Sequence, residues 1–401
     1  MDLRSDQPFW LLKNGLLAVY PPLEDDLTCE VVVIGGGITG ALVTYELVKA
    51  GVEVVVLDKR DIASGSTSAS TAMLQYEIDQ ELHELAALVG PADAVRSYQL
   101  GIEALVALER ISHEIGAPAL FQRVDSIYAT RYRRHCRRLQ KEFAARKAAG
   151  FAVRFAEQAE LKARYGLHAY GAIISADSAM TDAYALTHAL FAHSATLGAR
   201  ILDRTEVTNV LPTTTGVTVH TNRDACVRAA KVVFATGYET QHYLNQNVAT
   251  LHSTFALVSE PTAMASAIKD AYLLWETARP YFYLRATSDN RLILGGGDEP
   301  FRNPAKRDRL IPKKSQQLLK LFSRFYPDFP QPEIAYAWAG TFGETKDGLA
   351  YIGAAPEWPN AYFALGYGGN GITYSMIAAR IITDLYLGKV NPDAHIFRFY
   401  R

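Results

Sequence analysis

Gly35, Gly37 and Gly40 stand in the spacing G-x-G-x-x-G at the end of the apolar run Val31-Val32-Val33-Ile34. The first glycine suits a tight turn, the second a close approach of backbone to a pyrophosphate, and the third a helix packed on its strand. A helix-like segment then leads to a second apolar run ending at Asp58, 18 residues past Gly40, where a carboxylate can accept from ribose hydroxyls. The amides and dipole of the intervening helix would face the phosphates. The elements that must position these groups are a strand over 30–34, a helix over about 38–50 and a strand over 53–58. Together they predict a dinucleotide site.

An acid at Asp58 suits a free ribose 2′-hydroxyl, which disfavours NADP and leaves NAD and FAD. Two distant segments separate these. KVVFATGY (231–238) reads as a strand ending in small residues, able to return beside the first glycine turn. GYGGNGIT (366–373) is a second glycine cluster opening a second helix. That helix start could stabilise charge developing on the N1–C2=O edge of a reduced flavin, by about 1 kcal/mol. A nicotinamide enzyme has no need of it, so FAD is the cofactor read from the sequence.

These segments lie in a chain of 401 residues, 49% hydrophobic and 21% charged, which implies folded globular structure of more than one core. With 41 basic and 42 acidic side chains there is no global field to attract nucleic acid. Cys29, Cys136 and Cys226 are too few and too scattered for a disulfide framework or a zinc site. The N-terminal stretch carries Asp2, Asp6, Lys13, Asn14 and Pro21-Pro22, and is neither a secretory signal nor a membrane span. A soluble, cytoplasmic protein without a transmembrane segment is expected.

Residues 80–116 have leucines at helical spacing. The basic stretch 128–150 reads as a solvated amphipathic helix from about 133, with Leu139, Phe143 and Ala144 inward. Its arginines suggest an RNA-binding face as the alternative, but no interleaved aromatic or nucleic-acid motif supports it. A helix from 182 precedes a strand meander, residues 250–300 are strand-like, and 312–326 is helical. No repeat or linker separates these parts. A second domain must therefore be formed by insertions in a discontinuous nucleotide domain.

The glycine motif, the ATG strand and the C-terminal GYGGNGIT helix, in this order, resemble the D-amino-acid oxidase family of FAD enzymes across nearly the whole chain. The resemblance implies an α/β (α+β) fold: a glutathione-reductase-like, Rossmann-type FAD domain with an inserted mixed-sheet substrate domain. The expected division is 1–90, 170–245 and 335–401 for FAD, and 91–169 and 246–334 for substrate. Carried across by position, the resemblance puts Gly35, Gly37, Ile38, Thr39 and Gly40 at the diphosphate and Asp58 with Lys59 at the ribose. Ser66 and Thr67 fall near the diphosphate, and Thr71, Ala72 and Met73 along the flavin. Val207 falls at the adenine, Gly237 beside it, and Asn370, Gly371, Ile372 and Thr373 at the pyrimidine edge. Family members that bind flavin covalently use a Cys or His beside the ring; none is suitably placed here, so noncovalent FAD is expected.

The implied reaction oxidises the C–N bond of an amine or amino acid by hydride transfer to flavin N5, with O₂ or another electron acceptor. Amino-acid oxidases of the family carry an arginine for the substrate carboxylate in a G-L-R-P-like segment. Here that segment is WAGTFGETKDGLAYIG (338–353), with Phe342 at the arginine's position and Gly343 at the proline's. Tyr281, Tyr283 and Arg285 alternate and are expected on one strand face, where Arg285 is the candidate substitute. Gln75, Glu77 and Tyr367 are further pocket candidates, and Glu77 in the pocket would favour a cationic amine. No catalytic base is assigned. The alternatives are an enzyme like the FAD-dependent glycerol-3-phosphate dehydrogenases, suggested by GSTSAST (65–71), and a non-catalytic flavin-binding subunit.

Overall fold

Runs of β-branched residues buried on both faces dictate the first sheet. Leu27–Ile34 and Val54–Leu57 bury Val31, Val32, Val33, Val54, Val55 and Val56 almost completely, as parallel strands between two covering layers require. In the computed structural model, which describes residues 2–5, 7–245, 247–268 and 271–401, these strands pair in parallel with Val31 opposite Val54. Asp6 of the N-terminal reading lies outside the described residues. Cys226–Phe234 pairs in parallel on the other side of Leu27–Ile34, with Ile34 opposite Phe234. The strand bearing KVVF thus returns beside the first glycine turn, as the sequence predicts. The sheet order is Tyr351–Gly353, Ala361–Leu365, Cys226–Phe234, Leu27–Ile34, Val54–Leu57, Arg200–Leu202. Val207–Pro212 and Val217–Thr221 extend it as an antiparallel flap on Cys226–Phe234.

One face of this sheet is covered by Ile38–Lys49, Ala183–Thr196 and Gly371–Tyr386. Asp182 caps the second of these, its Oδ1 accepting from the Ala185 amide at 3.0 Å. Thr39 and Ser375, at the starts of the other two, share a 2.7 Å hydroxyl contact that ties both helix N-termini together.

The second sheet is mixed and nine-stranded. Its order is Ile334–Glu344, Thr250–Ser259, Leu292–Pro300, Phe282–Ala286, Tyr272–Glu276, Phe121–Thr130, Gly171–Thr181, Met73–Gln75, with Val153–Glu157 paired to Gly171–Thr181. Ile311–Phe325 buries Leu318, Leu319, Phe322 and Phe325 behind it. Membership differs from the expected division. Met73–Gln75, Gly171–Thr181 and all but the first residue of Ile334–Glu344 fall within ranges assigned to the FAD part, yet all three strands pair in the second sheet. Conversely, Pro91–Glu114, assigned to the substrate part, packs on Gly371–Tyr386 in the core beneath the first sheet. The helix expected over 80–116 is two, Leu82–Val89 and Pro91–Glu114, broken at Gly90 with φ of 90°.

The basic helix, Cys136–Ala148, is corrected more deeply. Leu139 is buried and Phe143 half-buried, but Ala144 is exposed, and the side chains turned inward are Glu142 and Arg146. Arg146 Nε donates to Glu142 at 2.7 Å and Nη1 to Glu77 at 3.3 Å, all three wholly buried. His83 and the Leu82 amide complete the Glu142 carboxylate's partners. A stripe of charged residues at helical spacing signals solvent until a complementary charge meets it from elsewhere in the chain.

Candidate active site

Between the two sheets runs a cleft of about 480 Å³. Its dinucleotide end is made by the strand–turn–helix unit at residue 35. Gly35 has φ of 115°, and a side chain there would overlap the Ala235 carbonyl; one at Gly40 would overlap the Gly35 carbonyl. Gly40 therefore packs helix on turn and does not line the cleft, whereas Gly35, Gly37, Ile38 and Thr39 do. Asp58 accepts from the Gly36 amide at 2.7 Å and the Arg60 amide at 2.8 Å. Burial raises its pKa, opposed by those amides and by Arg60 and Lys59. Lys59 is paired to Glu239, with Nζ 2.9 Å from Oε2. Val207 and Gly237 line the same end.

The hydroxyl-rich loop runs from this end toward the middle. Thr67 Oγ1 accepts the Ile38 amide at 3.0 Å, while Ser66 Oγ is buried without a protein partner beside the cleft. The loop's carbonyls are gathered on its far side. Trp10 donates to Ser70 O at 2.7 Å and Trp338 to Ala69 O at 2.8 Å. Arg285 Nη1 donates to the carbonyls of Thr71, Ala72 and Thr181 at 3.1, 2.8 and 2.8 Å. This corrects the sequence expectation for Arg285. Tyr281 and Tyr283 line the cleft, but Arg285 sits buried beneath the loop backbone and holds it. Burial pushes its guanidinium pKa down to about 10. Thr71, Ala72 and Met73 are thereby presented to the cleft.

The helix Gly371–Tyr386 points its N-terminus at the same stretch. Asn370 makes no side-chain cap; its Nδ2 instead donates to the carbonyls of Gln75 and Glu77 at 3.2 and 2.7 Å. The first-turn amides therefore stay open toward the cleft, lined here by Asn370, Gly371 and Ile372. Thr373 is buried and gives its hydroxyl to Gln75 O at 3.1 Å, so its side chain is placed on the strand and not in the cleft.

The far end is built of side chains from the second sheet and the segment after the hydroxyl loop, with Tyr238 and Tyr367 from the stretches that follow the first-sheet strands Cys226–Phe234 and Ala361–Leu365. Gln75, Asp79, Tyr238, Thr254, Trp275, Tyr281, Tyr283, Asp298, Phe342 and Tyr367 line it. Gly295, directly across from Tyr283, leaves room for that ring. Phe342 stacks on His252 at 5.5 Å. Glu77 also borders the cleft; its Oε1 is paired to Arg146 at 3.3 Å, its Oε2 is buried without a partner, and burial raises its pKa. Two carboxylates that the sequence reading missed occupy this end. Asp79 accepts from the Gly369 amide at 2.9 Å, and its pKa is raised by burial. Asp298 has Oδ1 buried without a partner, and burial pushes its pKa up to about 6. The run GGGD (295–298) at a strand end was the available signal for Asp298; nothing local marks Asp79 or Trp275.

The chain belongs to the family of FAD dependent oxidoreductases, whose family model matches residues 30–385. It is thus an FAD-dependent oxidoreductase. Among its relatives, gamma-glutamylputrescine oxidoreductase of Escherichia coli is 28% identical, covering 92% of this chain and 86% of that protein. Glycine oxidase of Geobacillus kaustophilus is 26% identical, covering 89% and 92%. The crystal structure of glycine oxidase from Geobacillus kaustophilus superposes with a TM-score of 0.81 at 22% identity, covering 94% of this chain and 99% of that one. The cleft fits the cofactor on its own chemistry: a glycine turn, two helix N-termini whose N-cap residues make no side-chain cap and the unpartnered Ser66 hydroxyl all border it. No helix among the described residues is long and apolar enough to cross a membrane.

Proposed function

We propose that the protein oxidises the C–N bond of a small amine that carries no carboxylate on the reacting carbon. The observation that carries this reading is the charge of the far end of the cleft. Phe342 stands at the arginine position, and the described residues lining that end include Asp79 and Asp298 but no Lys or Arg. An α-carboxylate placed there would meet two carboxylates and no cation, losing the charge-assisted bonds that usually contribute about 1.5–3 kcal/mol. An ammonium group meets aromatic faces and anions, which attract it. The name of the E. coli relative, which acts on an amine, is in keeping with this.

Bound FAD would supply the two-electron oxidant, taking hydride at N5. Gly35, Gly37, Ile38, Thr39, Ser66 and Thr67 would hold its diphosphate, Asp58 its ribose, and Val207 with Gly237 its adenine side. Thr71, Ala72 and Met73 would lie along the ring, and the amides at Gly371 and Ile372 would stabilise the reduced form. The lining contains no cysteine, and its one histidine, His242, lies with Glu239 and Tyr243 at the adenine end, so the cofactor is read as noncovalent. Trp275, Tyr281 and Tyr283 exclude water and orient the substrate.

The test is anaerobic bleaching of the flavin by a panel of primary and secondary amines, D- and L-amino acids and glycerol 3-phosphate. Bleaching by amines is expected. Bleaching by α-amino acids or glycerol 3-phosphate alone overturns the reading, as does FAD that only dithionite reduces.

A further inference from the structure

Resting on the amine reading, we propose that Asp298 is the counter-ion of the substrate ammonium and accepts the proton that group loses before its C–H bond is oxidised. Asp298 lies near the end of the strand Leu292–Pro300, at the irregularity between the Phe255–Gly296 and Ser253–Glu299 pairs and just past the last pair with the neighbouring strand, Phe282–Gly296. Thr254 faces it on one side and Tyr281 and Tyr283 on the other; Asp79, Arg279 and Lys314 are the charged groups around it. Both nearby cations are committed elsewhere. Lys314 Nζ donates to Gly297 O at 2.6 Å and to Glu299 at 2.8 Å. Arg279 donates to Asp79 O at 2.7 Å and to Glu344 at 3.4 Å, stacked on Tyr281.

A carboxylate with a buried, unpartnered oxygen on the cleft wall is costly unless something charged or protonated meets it. Thr254 gives this carboxylate a hydrogen bond, but Oδ1 stays unpartnered and both nearby cations are engaged elsewhere; an ammonium ligand meets that oxygen. The same burial that leaves Asp298 Oδ1 unpartnered makes the carboxylate a better proton acceptor than an ordinary aspartate. One N–H bond of the ammonium breaks, its electrons staying on nitrogen and its proton passing to Asp298. Bound FAD would supply the two-electron oxidant for the C–H bond of that neutral amine, whose nitrogen lone pair would close a C=N bond as hydride is lost. The organic product would be an iminium cation, and the proton would be held on a neutral Asp298.

The experiment uses FAD-loaded enzyme, and titrates it by calorimetry with tetramethylammonium and with tert-butanol, a neutral molecule of similar size. The wild type is expected to prefer the cation, with affinity falling below pH about 6. Asp298→Asn should lose at least about tenfold in cation affinity. Its tert-butanol binding and visible flavin spectrum should stay unchanged, which separates this loss from misfolding. In anaerobic reduction by the best amine of the panel, the acid limb near pH 6 should vanish in the variant, a change that a structural role would not produce. An Asn variant with wild-type cation affinity overturns the assignment, as does loss of that affinity in Asp79→Asn but not in Asp298→Asn. Amine reduction of the wild type with an unaltered Asn variant overturns it while leaving the amine reading intact; failure of every amine to reduce the flavin overturns both.

Discussion

The two ends of the cleft are made of different materials. At the dinucleotide end the surface is mostly backbone: a glycine turn, helix amides and a loop whose carbonyls are pulled away by Trp10, Trp338 and Arg285. At the far end it is mostly side chain, with Trp275, Tyr281, Tyr283, Asp298 and Phe342 standing on strands that would form with other residues in their place. A backbone surface fixes its sequence through sterics, because one added methyl meets another carbonyl. A side-chain surface fixes its sequence only through the ligand. The first end should therefore break on small changes, and the second should change its preference while remaining folded.

Gly40→Val is the harshest break. Its side chain would overlap the Gly35 carbonyl, so the turn must open. Purified protein should contain little or no FAD, measured as the ratio of visible to ultraviolet absorbance. Retention of stoichiometric FAD would show that the turn tolerates displacement and would remove the steric half of the contrast.

Arg146→Met tests the support behind the far end. It leaves Glu77 and Glu142 buried with no cation, at a cost of about 3–5 kcal/mol in urea unfolding. Burial works to raise the pKa of Glu142, but Arg146, His83 and the Leu82 amide outweigh it and hold the value low. Its stabilising contribution is therefore present above the ordinary value of 4.5 and lost as pH falls through the lower, folded value. In the wild type the Glu77 pKa is already raised by burial while that of Glu142 is held low, so their pH effects oppose each other. In the variant both should titrate above 4.5, and acidification from neutral pH should recover more stability there than in the wild type. Adding Glu77→Gln and Glu142→Gln should restore most of the loss.

The same division explains what the sequence revealed. The dinucleotide motif was legible because turn, strand and helix are local, and the spacing of 35, 37, 40 and 58 carries their geometry. The return of KVVFATGY was legible because small residues at a strand end leave few partners. Arg285 was misplaced although its strand face was right: alternation tells which side a residue takes, not what covers that side. Glu142 and Arg146 were read as solvated because their partners, Glu77 and His83, lie about sixty residues away in the chain. Asp298 and Asp79 were missed because a pocket made by several strands has no linear signature. Sheet membership failed for a related reason, since Gly171–Thr181 and Ile334–Glu344 follow and precede elements of the other sheet with no break in composition.

Phe342→Arg sharpens the comparison at the side-chain end. The new guanidinium would stand at the position where amino-acid oxidases of the family hold a carboxylate, near the anions Asp79 and Asp298. The affinity for amino acids, read as the KM or the Kd for flavin bleaching, should improve by about 1.5–3 kcal/mol relative to amines. FAD content should be unchanged. Loss of FAD instead would mean that the two ends are not separable.

Lys59→Ala should do least. Its pair with Glu239 is partly exposed, with 30% and 15% of the two side chains accessible, and such pairs contribute about 0–1 kcal/mol. FAD affinity measured by fluorescence titration should fall less than about fivefold, and less still at high salt. A loss as large as that sought at Phe342 would count against the division drawn above. It would mean that a side-chain charge, and not the glycine turn and the helix amides, carries the hold on the cofactor at that end.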